Sequence, residues 1–451
     1  MTAGRPNVLL IIADDFGVQQ LGCTTPAAEG DGFFATPNLD RLAAEGVRFA
    51  RAYATAPVCS PARASLYTGW HPARLRLTEF IPGSEVINAP LLTPDWVRGL
   101  PVSAVTLGDA LKARGYATAH FGKWHLAPDY DYVPGRPMDP ESQGFDEVCV
   151  TRKPAPGADP EADPHHIEAL TDRAIEYCTR AREQRFLCVL AHNALHRPEL
   201  APAALGKKFA AHPAADPEVN RPALGAMVAQ MDAAIGRLLE ALRASGRDRD
   251  TLVVFTADHG PLGASERRKP LRGAKADLYE GGLRVPLLMR WPERIVGGQV
   301  RDAIVSGADL FPSVLAVGGG PAAAECDGVD LWPIIRDANC KPLREALHWH
   351  YPHYHHLGPG PGGAIRVGDY KLIEWFGPQP MYELFNVASD PGERCNLVGA
   401  EPARRADLLQ RLRAWRREVG AQEMMLNPDY DAVAPTRRLP PAGDSVGVKD
   451  S

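Results

Sequence analysis

The sequence contains no apolar run long enough to cross a bilayer. NVLLIIA at 7–13, among the longest, has seven residues, whereas a spanning helix needs about 20. The residues before it lack a separate basic region and a cleavage site, and the run leads directly into acidic residues. We therefore expect a core strand, no membrane partner and a cytoplasmic protein. A chain from which a secretory leader had been removed would look the same.

The sequence also lacks closely paired cysteines and a strong net charge of either sign. Eight cysteines are scattered along 451 residues without forming a C-x-x-C pair. The spacing therefore indicates neither a zinc site nor a disulfide framework. Fifty Lys and Arg residues stand against 55 Asp and Glu residues, which gives a formal charge of −5. This balance gives no reason to expect a nucleic-acid partner.

Apolar runs alternate with helix-like segments over most of the chain. NVLLIIA (7–13), FLCVLAH (186–192) and TLVVFTAD (251–258) are nearly continuous hydrophobic runs, and an amphipathic stretch covers about 222–244. Strands of this kind lie in a mostly parallel sheet with helices on both faces. The pattern therefore predicts a large α/β fold.

The pattern changes towards the C-terminus. AIRVGDYKLIEWF (364–376) alternates around a Gly-Asp turn and predicts a hairpin, and a polar helix is expected near 402–418. We expect a catalytic domain over residues 1–340 and a smaller α+β domain over residues 341–451 that contributes to the substrate cleft. The Pro/Gly/Asp-rich part of 128–166 is expected to form a long functional surface loop.

Acidic pairs follow two of the predicted strands. Asp14 and Asp15 come after the first, and Asp258 stands with His259 after TLVVFTA. Ligands bind at the carboxyl ends of strands in open α/β sheets, and paired carboxylates suit a hard divalent cation. Each pair alone is more typical of a helix cap or turn, but two pairs favour a metal site. Because His259 is a softer ligand than calcium usually takes, magnesium or manganese stays open.

The segment PVCSPARASLYTG (57–69) is typical of the start of a helix. Pro61 suits a first helical turn because its ring fixes φ and its missing N–H would be unsatisfied there anyway. Cys59 is then expected just before the helix N-terminus, where the partial positive charge favours an anion. These residues indicate a nucleophile or an anion site, and they leave that choice open.

A family resemblance is carried by the same segment. Cys59-Ser60-Pro61-Ala62-Arg63, followed after four residues by Thr68-Gly69, matches the type I sulfatase signature C-x-P-x-R-x4-T-G. The chain resembles the formylglycine-dependent sulfatases of the alkaline phosphatase-like superfamily over nearly its whole length, nearest to bacterial carbohydrate and aryl sulfatases. Its further ordered motifs are NVLLIIADDFG, GYATAHFGKWHL, ALHRP, FTADHGP, KADLYEGGLRVPLLMRWP and RVGDYKLIEW.

The resemblance implies that a formylglycine-generating enzyme oxidises Cys59 to Cα-formylglycine, whose hydrate is the nucleophile for a sulfate ester. One hydroxyl attacks sulfur and expels the alcohol, and the second, once deprotonated, expels sulfate and restores the aldehyde. The resemblance also implies Ca2+, or alternatively Mg2+ or Mn2+, which polarises the sulfate oxygens.

The same resemblance implies a role for each matching residue. Asp14, Asp15, Cys59 (as formylglycine), Asp258 and His259 bind the cation, while Arg63 holds the hydrated aldehyde and stabilises the metal region. The remaining roles are sulfate binding by Lys123 and Lys275, protonation of the leaving alcohol by His196, and acceptance of a proton from the second hydroxyl by His125.

Two of these assignments leave an alternative open: the second sulfate-binding lysine and the second metal pair. Lys269 lies near Lys275 in RRKPLRGAK, which could be a solvated basic loop, but the position four residues before Tyr279-Glu280-Gly281-Gly282 favours Lys275. Asp-His at the second metal pair departs from the Asp-Asn of many sulfatases. It resembles choline sulfatases and phosphonate monoester hydrolases in this respect.

The sequence says less about the substrate. HWHYPHYHHLGPGPGG (348–363) carries five of the 14 histidines, and it could bind metal, form a polar surface loop or face the substrate. Trp70, His353 and His355 are expected to be pocket walls. Because GWHP after the signature resembles bacterial sulfatases that act on sulfated sugars, we expect a carbohydrate sulfate as substrate, with aryl sulfates as surrogates. The alternatives are a phosphonate monoester or phosphodiester hydrolase, and an unconverted chain that only binds its ligand.

Overall fold

NVLLIIA forms a strand whose seven residues are all buried. In the computed structural model, which describes residues 4–24, 32–263, 270–319 and 326–439, this strand lies at the centre of the larger sheet. The strands in chain order are β1 (Asn7–Ala13), β2 (Val47–Tyr53), β3 (Glu85–Ile87), β4 (Leu91–Leu92), β5 (Ala117–Gly122), β6 (Glu147–Val150), β7 (Phe186–Ala191), β8 (Thr251–Ala257), β9 (Leu287–Arg290), β10 (Gln299–Ser306), β11 (Ala346–Tyr351), β12 (Gly362–Val367), β13 (Tyr370–Trp375), β14 (Met381–Asn386), β15 (Met425–Leu426) and β16 (Arg437–Leu439).

Helices cover both faces of this sheet and one face of a smaller one. They are α1 (Pro37–Ala44), α2 (Cys59–Thr68), α3 (Pro72–Leu75), α4 (Leu107–Lys112), α5 (Ile167–Thr179), α6 (Ala203–Ala210), α7 (Pro222–Ala244), α8 (Glu280–Leu283), α9 (Leu310–Val317), α10 (Trp332–Arg336) and α11 (Pro402–Glu418). Within the described ranges, none of the helices is long and apolar enough to cross a membrane.

The larger sheet has eight strands in the order β10-β2-β9-β8-β1-β7-β5-β6. Only β9 runs antiparallel to its neighbours, and the other pairings are parallel. The predicted mostly parallel sheet is confirmed. Because β8, β1, β7 and β5 are neighbours, the loops at their carboxyl ends lie side by side.

Alternate residues of β1 face two separate hydrophobic cores. Val8, Leu10 and Ile12 lie in one core with residues of α2, α4 and α9. The residues between them lie in the second core with α1, α5 and α7. A strand covered by helices on both faces has no solvent side, which explains the continuous apolar run in the sequence.

The smaller sheet consists of β11 to β14, paired antiparallel in chain order. The predicted hairpin is confirmed, since Val367 of β12 pairs with Tyr370 of β13 across a two-residue turn. Helix α11 covers one face through Leu408 and Leu412. The other face packs against the larger part of the protein in a core that includes Trp349.

Two segments are more ordered than their sequences indicate. The tail beyond α11 has no clear periodicity, yet β15 pairs with β4 and β16 pairs with β3. Within the expected surface loop at 128–166, β6 pairs with β5 and forms one edge of the larger sheet. The domain boundary at 340/341 stays a prediction, and β11 begins at Ala346, close to it.

A buried ion cluster joins the smaller sheet to the larger part of the protein. The Lys371 Nζ of β13 lies 3.1 Å from Glu280 Oε1 and 3.0 Å from Glu393 Oε1, with all three side chains fully buried. The hydroxyl of Tyr53 in β2 also donates to Glu280 Oε2, at 2.6 Å. Burial raises the pKa of Glu393 to about 7, although Lys371 pulls it down.

Lys371→Met should be strongly destabilising, typically by about 3–5 kcal/mol, because it removes the cation paired with buried Glu393. It also leaves Glu280 with only the more distant guanidinium groups of Arg366 and Arg284, at 3.8 Å and 4.0 Å. The change is measured as the shift of the urea unfolding midpoint relative to the wild type. Lys112→Met is the matched control, since it breaks the half-exposed pair with Asp146 and should cost less than about 1 kcal/mol. Equal shifts for the two variants would contradict the stabilising role of the cluster.

The Lys371→Met deficit should also depend on pH. Glu393 has a raised pKa in the folded state, so the folded protein holds a proton there that the unfolded chain releases. The stabilisation from this bound proton is present at low pH and is lost as the pH rises. The loss is steeper without Lys371, because the ionised Glu393 carboxylate is then buried without its cation. The loss of unfolding free energy in Lys371→Met should therefore be larger at pH 8 than at pH 5, and the reverse order would contradict the raised pKa of Glu393.

Candidate active site

Cys59 is the first residue of α2, and all ten residues of this helix are buried. Pro61 is the third residue and lies in the first turn, as predicted. The sequence placed Cys59 just before the helix, and the structure moves it one residue into the first turn. The helix ends at Gly69, whose φ of 73° is the left-handed conformation that glycine adopts without strain.

The carboxyl ends of four adjacent strands bring most of the predicted site residues to one edge of the sheet. Asp14 and Asp15 follow β1, Asp258 and His259 follow β8, Lys123 and His125 follow β5, and His196 comes after β7. Helix α2 supplies Cys59 and Arg63. Lys275 comes from a loop that precedes α8.

Four of the predicted metal ligands form one compact group. Donor atoms of Asp14, Asp15, Cys59 and His259 all lie within 4.8 Å of one another, and all four residues are buried. The ring Nδ1 of His259 lies 2.9 Å from the carbonyl oxygen of Gly260, so Nδ1–H donates there and the Nε2 lone pair remains for a ligand. Asp15 Oδ2 is buried without a hydrogen-bond partner. These residues therefore fit a divalent cation.

Asp258, the fifth predicted ligand, is not part of this compact group, and its carboxylate holds backbone and guanidinium groups. Its Oδ1 accepts from the backbone N–H groups of Asp15 at 3.2 Å and His259 at 2.9 Å. Its Oδ2 accepts from Arg63 Nε at 3.0 Å. Asp258 therefore fixes the two metal-binding loops to each other, while Asp258 Oδ1 remains 3.7 Å from His259 Nε2.

Arg63 is fully buried and makes three directed contacts. Besides Asp258, its Nη1 donates to the Lys123 carbonyl oxygen at 2.9 Å and its Nη2 to Asp14 Oδ1 at 3.2 Å. The planar fork of guanidinium donors suits this arrangement, which a lysine could not reproduce. Arg63 thus binds residues from the ends of β1, β5 and β8.

Two lysines lie beside the carboxylates at the centre of the site. Lys123 Nζ lies 2.8 Å from Asp14 Oδ1, and Lys275 Nζ lies 2.8 Å from Asp15 Oδ1 and 3.4 Å from Cys59 Sγ. Burial alone would raise the pKa of the Cys59 thiol, but Lys123 and then Lys275 hold that pKa well below its usual value. The centre therefore stabilises negative charge at position 59.

The backbone around Lys275 explains its position. Its N–H donates to the Pro261 carbonyl at 2.9 Å, and the next N–H, of Ala276, donates to Pro57 at 2.9 Å. Gly260 must be a glycine because a Cβ there would lie 2.0 Å from the Gly281 carbonyl oxygen. The loop is thus held between the end of β8 and the start of α2. The competing Lys269 lies outside the described residues.

His125 and His196 both line the cavity next to this centre. His125 Nε2 lies 2.6 Å from the Ile81 carbonyl, so Nε2–H donates there and the buried Nδ1 is left without a partner. Burial and then Lys123 lower the pKa of His125. His196 Nδ1 lies 3.0 Å from the Arg197 carbonyl, and burial followed by Lys275 lowers the pKa of His196 to about 4.

The expected pocket walls need correction. The cavity has a volume of about 450 Å³, and His355 lines it while Trp70 and His353 do not. The Trp70 ring lies under Arg74, with 5.5 Å between the Arg74 guanidinium carbon and the ring centroid. His353 is buried, and its Nε2 lies 2.8 Å from Thr78 Oγ1. The side chains of Trp70 and His353 therefore make their contacts outside the cavity.

Sequence reasoning missed much of the actual wall. The Phe80 ring packs at a tilt against His355, with 5.0 Å between ring centroids, and Tyr130 stacks on His125 at 5.2 Å. The only available signal was the Pro/Gly/Asp-rich loop at 128–166, which supplies Tyr130 and several neighbours. The lining residues that were not predicted include Phe80, Tyr130, Arg152, Lys153, Arg197 and His356.

Two protein-family models match the chain. One, described as Sulfatase, covers residues 6–320. The other, described as N-sulphoglucosamine sulphohydrolase, C-terminal, covers residues 274–418.

Relatives and solved structures are similar over nearly the whole chain. Arylsulfatase A of Homo sapiens is 30% identical over 470 residues, which is 91% of this chain and 87% of that protein. The crystal structure of Ps i-CgsB in complex with k-i-k-neocarrahexaose has a TM-score of 0.74 and 25% identity, covering 95% of this chain and 96% of that one. The phosphonate monoester hydrolase of Agrobacterium radiobacter has a TM-score of 0.70 and 22% identity, covering 92% and 96%. At 22% identity this last likeness concerns the fold alone.

Adding Ca2+, Mg2+ or Mn2+ to protein stripped with a chelator should raise its unfolding temperature. A ligand that binds only the folded state contributes about 2.7 kcal/mol at a hundredfold excess over its dissociation constant. Asp15→Asn should remove most of this shift, because it replaces the carboxylate whose Oδ2 has no protein partner.

The matched control for the cation experiment is Asp302→Asn, since Asp302 is an exposed carboxylate whose side chain is 74% accessible. This control should retain the full metal-dependent shift in differential scanning fluorimetry. If the metal raised the unfolding temperature of Asp15→Asn as much as that of the wild type, the cation would bind at another site.

Proposed function

The chain belongs to the sulfatase family and is a sulfuric ester hydrolase; we propose that it cleaves sulfate monoesters of saccharides with Cα-formylglycine at position 59 and a bound divalent cation. The observation that carries this proposal is the position of Cys59. Its Sγ, which stands in for an oxygen of the hydrated aldehyde, lies 3.4 Å from Lys275 Nζ and 3.1 Å from His259 Nε2. A formylglycine-generating enzyme is then required as a partner during maturation.

Two further groups would supply the chemistry of cleavage. Formylglycine at position 59 would supply, as its hydrate, one hydroxyl for attack on sulfur and a second for expulsion of sulfate. Asp14, Asp15, Asp258 and His259 would hold a cation, which would supply Lewis-acid polarisation of the sulfate oxygens. The remaining contributions come from the side chains around them.

Lys123 and Lys275 bind the sulfate oxygens. Both ammonium groups are buried beside Asp14 and Asp15, and burial of cations with carboxylates keeps them fixed and charged without a ligand. Preorganised charges of this kind need no reorganisation as negative charge moves during the reaction. Arg63 forms ion pairs with Asp14 and Asp258 and so positions these carboxylates in the same centre.

The two histidines have distinct proton states. His125 donates Nε2–H to Ile81 and keeps a lone pair on the buried Nδ1, as a proton acceptor requires. His196 donates Nδ1–H to Arg197, so it must hold a second proton on Nε2 to act as an acid. An anionic ester bound at Lys275 supplies the negative charge that raises the pKa of His196 for this role.

A saccharide substrate is supported by the cavity and by similarity. The cavity of about 450 Å³ is in the size range of sites for drug-sized ligands. Its lining combines Phe80, His355 and Tyr130 with cationic side chains. The similar protein Ps i-CgsB was solved with k-i-k-neocarrahexaose bound, which agrees with an extended sugar ligand.

Phosphonate monoester or phosphodiester hydrolysis is the competing reaction. It is supported by His259 at the second metal pair, and the phosphonate monoester hydrolase of Agrobacterium radiobacter has a similar fold. Sulfate and phosphate esters have the same tetrahedral geometry, so the same side chains could hold either one.

Conversion of Cys59 should remove about 18 Da from its peptide, because SH and one hydrogen are replaced by a carbonyl oxygen. Intact-mass and peptide analysis of protein made with a formylglycine-generating enzyme measures this change. The converted protein should hydrolyse 4-nitrophenyl sulfate, and Cys59→Ala should be inactive yet fold normally. Substantial activity of the alanine variant would refute the nucleophile, and a preference for phenyl phosphonate esters would favour the competing reaction.

His125→Gln and His196→Gln should affect different substrates differently. His196→Gln should cost little with 4-nitrophenyl sulfate, whose leaving group needs no proton, but about 100-fold or more in kcat/KM with a sugar sulfate. His125→Gln should slow single-turnover sulfate release equally for both substrates. The two variants serve as controls for each other, and identical leaving-group dependence would contradict the division of roles.

A further inference from the structure

Segment 78–81 lies between α3 and β3 and holds the histidine that is proposed to accept a proton. The Ile81 carbonyl accepts from His125 Nε2–H at 2.6 Å, and the Ile81 N–H donates to Ser60 Oγ at 3.1 Å. Ser60 directly follows Cys59 in α2. Because Nε2 of His125 carries the proton, its Nδ1 keeps the lone pair that a proton acceptor needs. The position of Ile81 therefore sets both the orientation of the His125 ring and the nitrogen that can accept.

Glu79 is a buried carboxyl group in the same segment, with 3% of its surface exposed. Its Oε1 accepts from the N–H of Phe80 at 2.8 Å and from the hydroxyl of Tyr351 at 2.8 Å. Burial raises the pKa of Glu79 to about 8, so the group is mainly neutral at pH 7. Both contacts need only an acceptor oxygen, which a neutral carboxyl still supplies. Glu79 thus fixes the backbone one residue before Ile81.

The smaller sheet anchors this segment. Tyr351 is the last residue of β11, and it packs in one hydrophobic core with Phe80. The ring of His353, two residues further, lies 5.4 Å from that of Tyr351, and its Nε2 lies 2.8 Å from Thr78 Oγ1. The chain at the end of β11 therefore binds the segment at Thr78 and at Glu79.

We propose that Glu79 is a positioning residue for His125: together with Tyr351 it fixes segment 78–81, and the Ile81 carbonyl then holds His125 with Nδ1 free to accept a proton during sulfate release. Glu79 does not line the cavity, so it acts through the backbone that joins it to Ile81. This inference rests on the proposed function, because that function gives His125 its role. It makes the smaller sheet a participant in the second half of the reaction.

Glu79→Leu removes the acceptor oxygen and keeps a side chain of similar size. Rapid mixing of the converted variant with 4-nitrophenyl sulfate should release the first equivalent of 4-nitrophenol at the wild-type rate, because that step does not need His125. The steady state should then be about tenfold slower than in the wild type, since a displaced base slows sulfate release. Glu79→Gln keeps an acceptor oxygen and should restore the steady-state rate. In His125→Gln protein, Glu79→Leu should add no further loss, because the residue that it positions is gone.

A second readout needs no substrate. Nitrogen NMR of histidine-labelled protein reports which ring nitrogen of His125 carries the proton, and comparison with His125→Gln identifies its signals. The proton should lie on Nε2 in the wild type and should divide between the two nitrogens in Glu79→Leu. Tyr351→Phe removes one donor to the Glu79 carboxyl and should change the kinetics and the NMR signals in the same direction by less. This milder variant tests the inference even if Glu79→Leu does not fold.

Asp232→Leu is the matched control, since Asp232 is also a buried carboxyl group that accepts from backbone N–H groups, those of Asn38 and Leu39 in α1. It does not line the cavity, so its loss should lower the unfolding temperature and leave the ratio of first-turnover to steady-state rate unchanged. The inference is overturned if Glu79→Leu slows both phases alike, adds to the loss in His125→Gln, or leaves the His125 signals unchanged. Failure of the wild type to release 4-nitrophenol would instead overturn the proposed function, and the NMR comparison would still report on the position of His125.

Discussion

The charge balance of a buried cluster constrains the rest of this structure. Asp14, Asp15 and Asp258 are almost inaccessible, and so is Arg63, with Lys123 and Lys275 only slightly more exposed. None of these charges could be buried alone, because removing an ion from water costs more than a folded domain can usually offset. Each buried charge at a strand end must therefore lie beside an opposite charge. The adjacency of β8, β1, β7 and β5 in the sheet makes this pairing possible.

The same balance bears on the proposed conversion of Cys59. Lys123 and Lys275 hold the pKa of the Cys59 thiol well below its usual value, so an unmodified thiol would place negative charge beside the proposed sulfate site. The proposed aldehyde hydrate would be neutral, and a bound divalent cation would add positive charge. The centre would then be complementary to an anion, although three carboxylates form part of it.

The parts that the sequence predicted well are those with a strong periodic or chemical signal. β1, β7 and β8 were predictable because strands buried on both faces must be apolar throughout, and the acidic pairs follow them directly. β15 and β16 have only two or three residues, too few for a hydrophobic period, and their partners lie more than 300 residues away. The wall residues were missed for another reason: the side of a loop that faces a cavity is set by tertiary contacts. Those contacts turned Trp70 towards Arg74 and brought Tyr130 onto His125.

The complete burial of α2 has a consequence for the proposed conversion of Cys59. Cys59 is 2% exposed, and all ten residues of its helix are inside the protein. An oxidising enzyme could bind this segment only if α2 were detached from the active site and from the hydrophobic core. The proposed modification would therefore have to precede folding, and the two processes would compete in time on the new chain. The yield of active protein would then depend on how slowly the large sheet closes over residue 59, so a faster-folding variant could be more stable yet less active.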